Sequence, residues 1–329
     1  MYQIKAILLV VISLMLVVGY WLTNNDYFKE ELSISIAVSR TPLSAPIYIA
    51  DSLGFFSEAG LKVELIEKNG GNLTFTLMMD GAADFATSSD SVMMLNSFKS
   101  DDFENLATFV QSNHDIKVLT KSATGIHDIK GLRGKRIAII QGSASEYFLD
   151  MMLAIAGVER SSVELINLPV SEMTLALENR HVDAIVVWEP FAFKAMKQLD
   201  DEAVLLSESN LYELTFNLLT KKSTTVNSGE KAEKLLAALK KAVEYIHQHE
   251  SEAQLILKER LHLDQEFIAW IWGEYLYDLT LRQSLLLSLE NEARWAISRG
   301  LTDKHDVPDF RNFMNPKPLK AVSQYSVSL

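Results

Sequence analysis

The feature that most constrains this chain is a block of strand, helix, strand, helix, strand that runs twice, in the same order and over similar lengths. The first copy opens on Ser33-Ile34-Ser35-Ile36-Ala37-Val38, whose period of two marks a half-buried strand. A loop from Arg40 to Ala45 leads to a helix expected over 46–59, with Pro46 in its first turn and Gly60 as its stop. Leu61 to Ile66 is the second strand, Leu73 to Met79 a short helix, and Asp84-Phe85-Ala86-Thr87 the third strand. The second copy runs from the strand at Arg136 to Ile140, through a helix starting near Gly142, to a strand at Val163 to Ile166. A helix after Ser171 and a closing strand from Asp183 to Val187 complete it. Alternation of this kind predicts two mainly parallel sheets covered by helices.

Beyond the repeat, Leu214 to Thr220 reads as a strand returning to the first unit. From Glu230 the spacing of Leu235, Leu236, Leu239, Val243 and Ile246 is helical, and further helices are expected over 264–277 and 281–298. Pro308, Pro316 and Pro318 predict an irregular C-terminal strap over the first lobe.

Composition removes several function classes. With 329 residues and 48% hydrophobic content the chain can build two lobes. A net charge of −12 argues against nucleic acid as partner, because phosphate neutralisation needs a basic footprint. The absence of cysteine excludes a disulfide framework, a thiolate metal site, a catalytic thiol and a lipid-modified cysteine. The seven histidines are scattered without metal-ligand spacing, and no nucleophile elbow or acid–base carboxylate pair stands out. The expectation is a binding protein with no cofactor, no metal and no catalytic residue.

At the N-terminus, Lys5 precedes an uncharged apolar run from Ala6 to Leu22, which lies between a signal-peptide core and a membrane span in length. Tyr20 and Trp21 stand where signal cleavage wants small residues and suit a membrane interface. The favoured expectation is an uncleaved anchor over residues 6–22, with a cleaved signal as the alternative. Lys5 on one side, against Asp26, Glu30 and Glu31 on the other, places the body of the chain outside the cytoplasm.

In open α/β sheets, ligands sit beyond the carboxyl ends of the strands. Four segments hold that position. Arg40, with Thr41 and Ser44 in the same loop, is either a bidentate anion partner or a solvated arginine. Ser88 and Ser89 either present hydroxyls to a ligand or cap the helix that follows. Gly142, Ser143 and Ser145 begin a helix whose free N–H groups suit an anion, with simple N-capping as the equal alternative. Trp188 either walls the cleft or packs in the core, and Glu189 either accepts a ligand hydrogen bond or is an exposed carboxylate.

These stretches resemble a known family. Ala45-Pro46-Ile47-Tyr48-Ile49-Ala50, Leu53-Gly54-Phe55-Phe56 and Ala59-Gly60-Leu61-Lys62-Val63 are similar to the opening of periplasmic substrate-binding proteins of the nitrate, sulfonate and taurine (NMT1/THI5-like) family. Leu132 to Ala138, Gly142-Ser143, Val182-Asp183-Ala184 with Trp188-Glu189-Pro190, and Ala293-Arg294-Trp295-Ala296 with Gly300-Leu301 extend the likeness. Arg180 departs from the glycine usual there. The resemblance implies a type II periplasmic-binding-protein fold, two α/β lobes with a ligand cleft between them. It also implies ligand contact at Gly142 to Ser145, and delivery of a small organic, anionic ligand to an ABC permease and ATPase complex. The division expected is 1–32 as anchor or signal, 33–119 as lobe I, 120–218 as lobe II and 219–329 as the return to lobe I. Hinges are expected near Thr120 and Leu218, and the chain as a monomer. A membrane-tethered sensor or accessory protein built on the same clamshell is the alternative; an enzyme like the thiamine-pyrimidine synthases fits less well, since its cysteine-bearing pattern is missing.

Overall fold

The computed structural model describes residues 31–206 and 212–329. The twofold pattern becomes two sheets. In the first copy, β1 (Leu32–Ser39) lies between β2 (Leu61–Lys68) and β3 (Phe85–Ser89), parallel to both. β4 (Phe103–Ser112) belongs to the same sheet, and β5 (Ile116–Lys121) opens the other. In the second copy, β6 (Arg136–Ile139) lies between β7 (Glu164–Asn167) and β8 (Ala184–Trp188), again parallel to both. β9 (Ala203–Leu205) pairs with β5, which itself runs antiparallel to β8. β10 (Leu214–Lys221) returns to the first sheet between β3 and β4, antiparallel to each. β11 (Leu276–Arg282) adds beside β4, and β12 (Val327–Ser328) closes that edge. The orders are β12-β11-β4-β10-β3-β1-β2 and β7-β6-β8-β5-β9.

One aspartate per copy locks the repeat. Asp84 Oδ2 accepts from the Ser35 backbone N–H at 2.8 Å, and the Asp84 N–H returns to the Ser35 carbonyl at 3.1 Å. Asp183 Oδ2 accepts from the Arg136 N–H at 2.9 Å, and its own N–H donates to the Arg136 carbonyl at 2.8 Å. Each aspartate thus fixes the start of its third strand against the first and satisfies backbone groups that burial would otherwise orphan. The turn before each carries a residue at positive φ: Gly81 at 76° in the first copy and Arg180 at 60° in the second. The departure at Arg180 therefore keeps the left-handed backbone that glycine usually supplies there.

The chain crosses between sheets twice, at residues 113–115 and between Leu206 and Leu214. Thr120 and Leu218, the positions taken from sequence as hinges, lie inside β5 and β10. The helix expected over 46–59 is divided into Ala45–Ser52 and Phe55–Glu58, because Gly54 adopts φ 74° between them. The helix expected over 264–277 stops at Ile271 and gives way through a short turn to β11. There Tyr277, Leu279 and Leu281 bury side chains at a period of two against β4, a pattern too short to stand out from the helical leucines around it. Helices Lys222–Gln248 and Gln283–Ser298 carry the long apolar stripes of the C-terminal region. The strap includes the helix Lys317–Val322, and Asn315 anchors it through its N–H to the Asn105 carbonyl at 3.0 Å. No helix among the described residues is long and apolar enough to cross a membrane; the anchor expected at 6–22 lies outside them.

Candidate functional site

The carboxyl ends of β1, β3, β6 and β8 carry the expected site residues. Their local bonds are specific. Arg40 is half-exposed and pairs through Nε with Glu67 Oε2 at 3.3 Å. Thr41 caps a short turn by accepting from the Leu43 N–H. Ser44 is buried with its hydroxyl 3.4 Å from that of Thr87, which accepts from the Ser39 N–H at 2.9 Å. Ser88 is buried and donates to the Gly71 carbonyl at 2.9 Å, so a side chain at residue 71 would collide with it. Ser89 and Ser91 hydroxyls lie 3.0 Å apart at the start of the helix Asp90–Ser97. All these bonds remain inside the first lobe.

In the second lobe, Ser143 caps the helix Ala144–Ile155: its hydroxyl accepts from the Ser145 N–H and donates to the Ile140 carbonyl at 2.6 Å. Ser145 is buried, its hydroxyl 2.8 Å from that of Ser143. Gly142, at φ 69°, gives its N–H to Glu146 Oε2 at 2.8 Å, and Arg160 holds the other carboxylate oxygen at 2.5 Å. The chain's own carboxylate thus takes the Gly142 N–H at this helix start. Its sequence signal is Ser143-x-x-Glu146, the spacing of a capping box.

Trp188 ends β8, partly buried, with its ring edge-on to Phe191 at 6.4 Å. Glu189 is buried and takes three partners: the Trp270 indole N–H at 2.8 Å, the Phe193 N–H at 3.0 Å, and Lys117 Nζ at 3.4 Å. It belongs to a polar cluster at the first crossing. There Lys117 also reaches Glu274 at 2.9 Å and sits 5.3 Å from the centre of the Trp270 ring. Beside it, the Tyr275 hydroxyl donates to Asp115 Oδ1 at 2.6 Å, and the Asp115 carbonyl accepts from the Glu189 N–H. Burial pushes the Asp115 carboxyl up to about 7 against the pull of the Tyr275 hydrogen bond, and raises Glu189 against Lys117.

A second cluster joins the lobes on the side of the second crossing. Asp90 accepts from the Tyr212 hydroxyl at 2.7 Å and the Ser91 N–H at 2.8 Å on one oxygen, and from the Thr215 N–H at 2.9 Å and its hydroxyl at 3.3 Å on the other. Burial lifts Asp90 to about 6, and those four donors oppose the rise. Glu292, on the helix Gln283–Ser298, is fully buried near it, and neither carboxylate oxygen has a hydrogen-bond partner. The one proton on the neighbouring Tyr212 hydroxyl goes to Asp90. Burial, reinforced by the charge of Asp90, drives the Glu292 carboxyl well above the ordinary range. Around the acids stand Tyr147 of the second lobe, edge-on to Tyr212 at 5.4 Å and to Trp295 at 5.2 Å. Trp295 and Arg299 both donate to Asp150 Oδ2, at 2.8 and 2.7 Å, fastening the first lobe to the helix Ala144–Ile155.

Sequence reasoning passed over Asp90, Glu292, Tyr147, Tyr212 and the Lys117 group. A signal existed for Glu292: it lies on the stripe Leu285, Leu289, Ala293, Ala296, an acid at a core position of an amphipathic helix. Asp90 follows directly on two of the chosen serines. The tyrosines gave no local sign, because their role depends on the meeting of two lobes.

Two α/β lobes with paired crossings, and strand ends turned towards a shared seam, define a periplasmic-binding-protein fold. The periplasmic aliphatic sulphonate binding protein SsuA from Escherichia coli shares it with a TM-score of 0.75, at 16% identity over 86% of this chain and 97% of that one. The periplasmic nitrate-binding protein NrtA from Synechocystis PCC 6803 does so with a TM-score of 0.69, at 15% identity over 90% of this chain and 89% of the other. The chain belongs to the NMT1/THI5 like family, whose match spans residues 41–253. Among sequence relatives, the "Putative aliphatic sulfonates-binding protein" of Bacillus subtilis (strain 168) is 28% identical over 244 residues, 73% of this chain and 72% of that protein. The "Putative thiamine biosynthesis protein" of Haemophilus influenzae is 25% identical over 243 residues, 72% of this chain and 76% of the relative.

Proposed function

We propose that this chain is an extracytoplasmic solute-binding protein that captures a small organic ligand between its lobes and delivers it unchanged to the permease and ATPase of an ABC importer. The observation that carries the reading is the seam itself. Elements from both lobes meet there through paired polar clusters beside the strand ends, an arrangement that can close over a solute. No chemistry is assigned to the site: its hydroxyls are engaged with backbone carbonyls and one another, and no nucleophile–base pair is built from them. Similarity to the Bacillus subtilis sulfonates-binding relative makes sulfonates the first ligand class to test. Residues 6–22 are assigned to a membrane tether, and the chain acts as a monomer.

Trp188, at the end of β8, is the proposed cleft wall, and Ser143 and Ser145 the proposed polar contacts of the second lobe. A panel of alkanesulfonates tested by thermal shift on the full-length protein checks this, because a ligand that binds only the folded state raises the melting temperature. The expected result is a saturable rise that Trp188→Ala removes. A rise of equal size in that variant places the ligand elsewhere.

A further inference from the structure

We propose that Asp150 is a releasable latch between the lobes: Arg299 and Trp295 of the first lobe close on it, and their departure opens the cleft while Arg160 keeps the carboxylate paired on the second lobe. The inference goes beyond the binding-protein reading, names no solute and is tested without one.

The latch joins two helices. Asp150 lies on Ala144–Ile155 of the second lobe. Trp295 lies on Gln283–Ser298, which packs against the helix Asp90–Ser97 of the first lobe, and Arg299 follows directly after it. One carboxylate oxygen, Oδ2, takes both first-lobe donors: the Trp295 indole N–H at 2.8 Å and Arg299 Nε at 2.7 Å. The other, Oδ1, pairs with Arg160 Nε at 2.5 Å, from a turn that follows the helix on the same lobe. The carboxylate is thus divided, one oxygen for each lobe. Arg160 also holds Glu146 at 2.5 Å, so its place on the second lobe does not depend on Arg299.

This division makes the contact reversible. A buried acid stripped of its partners is costly, but Asp150 retains Arg160 when the lobes part. Arg299 can return to water, since its side chain is 35% exposed. By contrast Lys117, which bridges to Glu274 at the first crossing, is 4% exposed. The charges also give the latch a direction. Glu146, Asp150, Arg160 and Arg299 balance when together. Parting them leaves an excess acid on the second lobe and a lone guanidinium on the first, and their attraction recloses the gap. Apolar contacts carry the seam further. Tyr147, one turn before Asp150, meets Trp295 edge-on at 5.2 Å. Leu301 of the first lobe lies 3.9 Å from where a side-chain carbon at Gly142 would stand. The seam therefore runs along one helix from Asp150 to Gly142, and the helix start bearing Ser143 and Ser145 moves with the latch.

The chain has no cysteine, so a spin label can be placed on each joined helix through Ile155→Cys and Leu287→Cys, both at exposed positions. Electron–electron double resonance on the full-length protein, with no solute added, then reads the separation of the helices. The expected result is one dominant short separation in the labelled parent. A second, longer one should appear in Arg299→Ala and grow in Arg299→Ala/Trp295→Phe, where the long-to-short ratio rises by on the order of tenfold. Arg299→Lys, which keeps the charge, should restore most of the short population. Sodium chloride at about 1 M should lengthen part of the parent distribution, because the partly exposed Arg299 is screened. An unchanged distribution in the folded double variant overturns the proposal. If that variant does not fold, a parent distribution that salt leaves unmoved does the same. A long population as large in Arg299→Lys as in Arg299→Ala would assign the opening to lost packing and overturn the ionic latch.

Discussion

The two polar clusters that join the lobes differ in one respect: the first contains its own cation and the second does not. At the first crossing, Lys117 lies between Glu189 and Glu274 and over the Trp270 ring, and every buried acid there has a donor. At the second, Asp90 consumes the available donors and Glu292 has none. A closed internal network is a hinge fastening. An open one, equally buried, leaves an acid whose ionisation burial opposes. The comparison teaches that equally buried acids differ in cost according to whether the chain supplies a compensating charge.

The largest expected effect comes from removing the internal cation. Lys117→Met should destabilise the protein by about 3–5 kcal/mol, because Glu189 is left buried and unpaired. Urea unfolding at pH 7 measures it, and a loss below about 1 kcal/mol would mean that the first cluster is not the closed network described.

Next in size is the pH dependence. Burial raises Asp90 to about 6 and Asp115 to about 7, and drives Glu292 well above the ordinary carboxylate range. The folded state then binds more protons than the unfolded chain above the ordinary carboxylate pKa. Stability from these groups is fully present below about pH 4 and is lost as pH rises through the folded values, a fall on the order of a few kcal/mol between about pH 4 and 8. Asp115→Asn, which keeps an acceptor for the Tyr275 hydroxyl, should flatten the part of this slope between about pH 4 and 7. An unchanged slope in urea titrations of that variant contradicts the assignment.

Glu292→Gln sharpens the contrast from the other side. Removing this acid should raise stability by about 1 kcal/mol at pH 8, since a neutral amide replaces a group whose ionisation burial opposes. Thermal unfolding at that pH checks the sign. The smallest effect belongs to Trp295→Phe, which retains an aromatic wall but loses the indole hydrogen bond to Asp150, at a cost of about 1 kcal/mol. A null result would show that Arg299 alone holds Asp150.

Much of the fold was legible because it rests on local signals. The repeated strands at Ser33 and Arg136 follow apolar periodicity, and Gly81 with Asp84 has its counterpart in Arg180 with Asp183. The boundaries that sequence missed depend on single backbone angles, as at Gly54, or on pairing to a distant strand, as in β11 beside β4. The site was less legible. Serines and an arginine at strand ends were visible as types, but their partners were not: Glu146 turns back on Gly142, and Glu67 reaches Arg40 from the neighbouring strand. Glu292 was readable as an acid on an apolar stripe, yet its meaning needed Asp90 and Tyr147, far away in sequence.

The central claim, capture without conversion between two lobes, is tested most directly by native mass spectrometry of the full-length protein with the tightest-binding solute, followed by recovery of that solute. The account predicts one solute per chain, released at its original mass after prolonged incubation. A solute recovered at altered mass, or a complex that fails to form, would contradict it.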